Sequence, residues 1–196
     1  MSNSSAGVRR SPDQRRAQIV DVAAAHFSRD GVAGASMTAI AAEAGITRAL
    51  VYHYFPGRER LLEAVLEREA NRVLVATAPD PALSQRANVE RALAAFFEHF
   101  AASSGAVREL YTPTTPERTS TAARLAASNH QVQVQRLLAA TGTADTEQSR
   151  LAMGAWLAFV EYTGRHAADA PTTPVQAHLD LCVNALESTL GRPLLT

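Results

Sequence analysis

Residues 45–62 read GITRALVYHYFPGRERLL, and this stretch decides the fold. Tyr52, His53, Tyr54 and Phe55 stand side by side between Gly45 and Pro56-Gly57, with arginines at 48, 58 and 60. A buried helix has no use for so many polar tips in a row, and a solvated one has no use for so many rings. Upstream, Ser36 is placed to cap a short helix, MTAIAAEA, whose inward positions are Met37, Ile40, Ala41 and Ala44. Gly45 then stands where the chain must turn, and left-handed backbone there is cheap only without a Cβ. A third helix is expected from about Thr47 to Phe55. Helix, tight glycine turn and short helix make the layout of a helix-turn-helix over residues 36–55.

On that third helix Val51 and Phe55 share one face, with Ile46 below them, and form the inward side. The opposite face shows Arg48, Tyr52 and His53, with Tyr54 at its edge. Phenol hydroxyls and guanidinium groups bond phosphate oxygens, helix N-termini attract phosphate, and arginine reads guanine O6 and N7. The face therefore predicts double-stranded DNA as a partner. The formal net charge of the chain is zero, so the case rests on this face and not on bulk charge. Residues 1–60 carry eight arginines against five acids, a mild positive excess at the expected DNA-binding end.

Outward from the motif, residues 1–10 are small, polar and basic and predict a disordered arm. SPDQ then sets Ser11 as N-cap, Pro12 at the first helical position and Gln14 at the third, a capping box. Ile19, Ala23 and Phe27 follow as one apolar stripe, and Gly31 is expected to end this first helix. Beyond Pro56-Gly57 a fourth helix begins near Arg58 and buries Leu61, Leu62, Val65, Leu66 and Val73. Five more helical segments follow, including a short one within GAVRELYTPTTP, residues 105–116. The expectation is an all-α chain of about nine helices: the arm, a helix-turn-helix domain over 11–57, and a helical body over 58–196.

The stretch IVDVAAAHFSRDGVAGASMTAIAAEAGITRALVYHYFPGRERLLEAVLER resembles the N-terminal domain of TetR-family transcriptional regulators. The carriers are Ala23, Phe27, Gly31, Ile40-Ala41, Ala44-Gly45, Tyr52, Tyr54-Phe55 and Leu61-Leu62, and the likeness extends over about residues 13–73. The resemblance implies a homodimer on a palindromic operator, usually a repressor released by a small ligand. It implies that Ser36 touches phosphate and that Thr38 reaches a base or phosphate. It further implies that Thr47, Arg48, Ala49 and His53 face the groove and that Tyr52 and Tyr54 contact phosphate. Arg58 stands where the family often has lysine, and Leu50 where many members carry a threonine hydroxyl. Activation, control by a protein partner, or a helical enzyme or carrier that retains the head remain alternatives at this stage.

The body offers two expectations. LAMGAWLAFV, residues 151–160, is ten residues without a charge, and a helix apolar all round must be buried on both faces. Leu151, Gly154, Ala155 and Ala158, with Leu179, Cys182, Val183, Leu186 and Leu190 on the last helix, are the expected seam of a four-helix dimer interface. Phe96, Phe97, His99, Phe100 and Tyr111, with Asn129, His130, Trp156, Phe159 and Tyr162, are an aromatic-rich set with a few polar tips. Such a set suits an apolar or aromatic small-molecule effector. No zinc or catalytic spacing appears, no H-E-x-x-H, G-x-S-x-G or Gly-rich phosphate loop; no catalytic residue, metal or cofactor is expected. The single cysteine, Cys182, and the absence of an apolar leader or an 18-residue apolar run predict a cytoplasmic protein without a membrane partner.

Overall fold

The computed structural model describes residues 10–102, 121–169 and 173–196. Eight helices occupy them: α1 Pro12–Gly34, α2 Met37–Glu43, α3 Arg48–Tyr54 and α4 Arg58–Ala76, then α5 Gln85–Ala102, α6 Thr121–Thr141, α7 Glu147–Asp169 and α8 Val175–Leu190. No strand occurs among the described residues. The helix expected within 105–116, the arm before Arg10, and Tyr111 lie outside them.

The chain divides into two compact units, Met1–Val65 and Leu66–Thr196. The division falls two turns into α4, not at Pro56-Gly57, because Leu61, Ala64 and Val65 are buried in the core of the first unit. That core is built from Ile19, Ala23 and Phe27 of α1, Ile40 and Ala41 of α2, and Val51 with Phe55 at α3. Its entry is fixed by the capping box. The Gln14 amide N–H donates to Ser11 Oγ (3.2 Å), and the Ser11 N–H donates to Gln14 Oε1 (2.9 Å). Gly31 breaks the α-helical path of α1 with φ +70°. The chain does not stop there, however; it makes one further turn to Gly34, whose successor Ala35 donates its N–H to the Gly31 carbonyl.

In the second unit α7 is central and packs on α5, α6 and α8. Its inward side is Met153, Trp156, Val160, Thr163 and Gly164. The Trp156 indole N–H donates to the Cys182 carbonyl at 2.9 Å, which ties α7 to α8 inside the core. A Cβ at Gly164 would lie 3.1–3.2 Å from ring carbons of Phe96 and Phe97, so glycine is what admits α5 so close.

The dimer-seam residues expected from sequence separate into two groups. Leu151 is 74% exposed, and Ala155 and Ala158 are also exposed. Cys182, Val183 and Leu186, by contrast, are sealed inside the unit's own core, and Leu179 and Leu190 pack partly buried against it. The apolar stripe of α8 that reads as an interface is its core stripe; the face turned outward carries Leu181, 51% exposed. Gly154 also serves the unit's interior, since a Cβ there would sit 3.1 Å from His130 Nε2 of α6.

Gly45 has φ +64°, and no heavy atom lies within 4 Å of the point where a Cβ would stand, so a side chain there meets backbone strain and nothing else. Gly45→Ala is expected to cost about 1–2 kcal/mol, seen as a lower denaturation midpoint with an unchanged denaturant slope.

Candidate nucleic-acid interface and effector cavity

The recognition surface is built by caps and by two buried anchors. Ser36 Oγ accepts the Ala39 N–H (3.4 Å) at the start of α2, and Thr47 Oγ1 accepts the Leu50 N–H (3.2 Å) at the start of α3. Gly45 reverses the chain between them at φ +64°. Val51 and Phe55 are buried, which leaves Thr47, Arg48, Ala49, Tyr52 and His53 exposed and Tyr54 half-buried at the edge. Ser36, Thr38 and Arg58 are exposed as well. All nine residues expected from sequence are thus exposed or, for Tyr54, half-buried.

Within that surface the side chains hold one another. The Arg48 guanidinium lies 5.3 Å from the centre of the Tyr52 ring and donates from Nη2 to the Tyr52 hydroxyl at 3.4 Å. His53 meets Tyr54 edge to face at 5.6 Å between ring centres. Arg48 is thus held against an aromatic ring and not loose in solvent. The tie behind this surface is not visible in the sequence. Gln18 Nε2 donates to the Ala44 carbonyl at 2.9 Å, at the end of α2, while Arg10 (3.1 Å) and Arg15 (2.7 Å) donate to Gln18 Oε1. Arg16 stacks over Phe55 at 5.1 Å. Arg16, and through Gln18 also Arg10 and Arg15, are therefore tied to the helix-turn-helix. No spacing rule finds a contact made 26 residues away.

The sequence pattern of bacterial regulatory proteins of the tetR family matches residues 19–65. The N-terminal unit of the chain therefore carries the tetR-family pattern. It is 36% identical over 72 residues to the HTH-type transcriptional repressor SCO4008 of Streptomyces coelicolor, a stretch that is 37% of this chain and only 38% of that relative's length. Over nearly the whole chain it shares a fold with a tetR-family transcriptional regulator from Streptomyces coelicolor, at TM-score 0.79 and 24% identity, covering 93% of this chain and 81% of that one. A TetR-like transcriptional regulator from Rhodococcus matches at TM-score 0.70 and 24% identity, over 94% of this chain and 100% of that one.

The second unit holds a cavity of about 170 Å³. Val73, Leu74 and Thr77 of α4 and its end form one side, with Leu93, Phe96, His99 and Phe100 of α5. Asn129, His130, Gln133 and Arg136 of α6 and Trp156, Val160, Glu161 and Arg165 of α7 complete it. Six residues expected from sequence line it: Phe96, His99, Phe100, Asn129, His130 and Trp156. Three described ones do not. Phe97 is buried against α7 at Gly164, and Phe159 packs partly buried against the core. Tyr162 is 68% exposed: it sits two residues from inward Val160, about 200° round the helix. The polar lining is partly committed. Gln133 Nε2 donates to Thr77 Oγ1 at 2.8 Å, and Arg136 donates to the Leu74 carbonyl. Burial lowers the pKa of both His99 and His130, which favours their neutral forms. Burial raises that of Glu161, with Arg165 opposing it. Glu161 and Arg165 are lining residues that the sequence reading omits, although their i, i+4 spacing just beyond the apolar run places them on one face of α7. The Cys182 thiol is fully buried and pushed up to about 11 by desolvation, so it packs as a small hydrophobe.

Thr47→Ala is expected to cost about 1 kcal/mol through loss of the α3 cap, read as a lower melting temperature. Ser36→Ala should lose less than Thr47→Ala, because its 3.4 Å bond is the longer of the two.

Proposed function

We propose that the chain is a homodimeric, sequence-specific DNA-binding repressor released from its operator by a small apolar or aromatic ligand. The observation that carries the DNA-binding part is the exposed face of α3, where Arg48 is stacked on Tyr52 behind a capped N-terminus. Arg48 is assigned to a base edge, and Tyr54, with Tyr52, to phosphate. Arg48→Ala should weaken binding to the specific site by about 1–3 kcal/mol and relax preference at one base per half-site. Tyr54→Phe should weaken every sequence about equally. Titration of both variants against operator and scrambled duplex at fixed salt separates the roles. Equal weakening of both duplexes by Arg48→Ala removes the base-reading role.

Support for the dimer comes from α7, whose outer face shows Leu151 and Tyr162 with Ala155 and Ala158 between them. This is one stripe at helical spacing, apolar but for the tyrosine hydroxyl, left uncovered in a single chain. Pairing it with its copy buries it across a two-fold axis, and two-fold symmetry matches a palindromic site. Ala158→Arg or Tyr162→Glu should give folded monomers at micromolar concentration by sedimentation, with binding to the palindrome lost. Leu186→Glu should instead unfold the protein, because Leu186 is a core residue. A monomeric wild type ends the dimer proposal.

Release is assigned to α4. Its first two turns bury Leu61 and Val65 in the first unit's core, and its last turns put Val73 and Leu74 on the cavity wall. A ligand that displaces Val73 and Leu74 acts on the same continuous helix. Two recognition helices must stand about 34–36 Å apart to enter successive major grooves, so a small change in α4 is enough to lose the site. A hundredfold loss of operator affinity corresponds to about 2.7 kcal/mol of coupling, and operator DNA must weaken the ligand by the same factor. Ligand titration with and without operator checks it; unchanged ligand affinity in the two cases sinks release by this route.

A further inference from the structure

The geometry points to an organic carboxylate as the effector class: one aromatic ring or a short branched apolar group carrying a single anionic handle, seated with the handle at Arg165. This deepens the proposal that the cavity is the effector site and rests on it. Three observations lead there. First, Arg165 Nε is buried and has no hydrogen-bond partner among the described residues, although it belongs to a side chain on the cavity wall. A buried guanidinium N–H without an acceptor is rare, and its ordinary explanation is an acceptor that binds there. Second, the charged lining among the described residues is Arg136, Arg165 and Glu161, an excess of one positive charge. Arg136 is turned to a backbone carbonyl, and the two lining histidines are held toward neutrality by burial. Third, Glu161 leaves that Arg165 Nε unmet, although the two residues are four apart on α7.

The unmet Arg165 Nε decides the sign of the ligand. If Glu161 carried a lasting negative charge it would be the natural partner of Arg165. Burial instead pushes its carboxyl up toward the neutral form, which lessens its repulsion of an anion held by Arg165. A cation would find Glu161 but would also face two guanidiniums in a medium of low dielectric, where like charges are strongly opposed. The apolar part of the ligand lies against Phe96, Phe100 and Trp156. The volume, about 170 Å³, has room for a single ring, since a dry cavity of about 150 Å³ accepts benzene.

Three probes of one shape and different charge test this: phenylacetate, phenylacetamide and 2-phenylethylamine, titrated into the full chain without DNA by calorimetry and by Trp156 emission. Phenylacetate should bind best, the amide about tenfold weaker, and the amine weaker still. Arg165→Gln should remove the preference for acid over amide while leaving the amide's affinity unchanged, which also reports that the cavity is intact. Glu161→Gln should tighten phenylacetate and leave the amide in place. An amine that binds more tightly than the acid overturns the proposal. So does an Arg165→Gln variant that weakens acid and amide alike, or the failure of all three probes at millimolar concentration. The wild-type ranking stands even if a variant fails to fold. Operator release is measured separately on the same samples. Acid binding without release defeats the release mechanism and leaves the ligand class standing; release by the amine alone does the reverse.

Discussion

A helix of seven residues has no stability of its own in water, and α3 exists because Val51 and Phe55 are buried against Ile19, Phe27, Ile40 and Leu61. Everything on its outer face depends on that burial. Arg48, Tyr52 and His53 can be exposed and still be placed, since their helix is pinned from behind at two points and capped at one end by Thr47. The turn that leads into it is paid for in backbone geometry: Gly45 takes φ +64° and Gln18 reaches across from α1 to hold the Ala44 carbonyl. The exposed face of α3 is thus a product of the core behind it.

The body obeys a different rule. Three helices pack around α7, and two glycines set how closely two of them do so: Gly164 lets α5 approach, and Gly154 lets α6 approach. The lining of the cavity is what remains where the helices do not close completely. Its apolar wall comes from the same Phe, Trp and Val side chains that hold the helices together.

The head is legible in the sequence because its signals are local. A cap, a glycine and two apolar residues four apart each act within a few positions, and the resulting helices have the expected faces. The body is legible only in part. Helical periodicity shows that α8 has an apolar stripe but not whether that stripe meets its own unit or a copy, so it puts Cys182, Val183 and Leu186 in a seam when they belong to the core. The aromatic inventory finds six cavity residues but also takes in Tyr162, whose ring points to solvent, because composition carries no angle. Glu161 and Arg165 escape it for the opposite reason: a charged pair at i, i+4 reads as a solvated face until burial is known. The boundary within α4 is also hidden, since Pro56-Gly57 marks the end of a helix and not the end of a core.

At Gly154 the space that a Cβ would fill is held by His130 Nε2, 3.1 Å away, and His130 is on the cavity wall. Alanine or serine at this position would displace the imidazole by a few tenths of an ångström and so alter the cavity wall, in a unit separate from α3 and the turn before it. One codon can thus alter the shape of the cavity while the exposed face of α3 stays as it is.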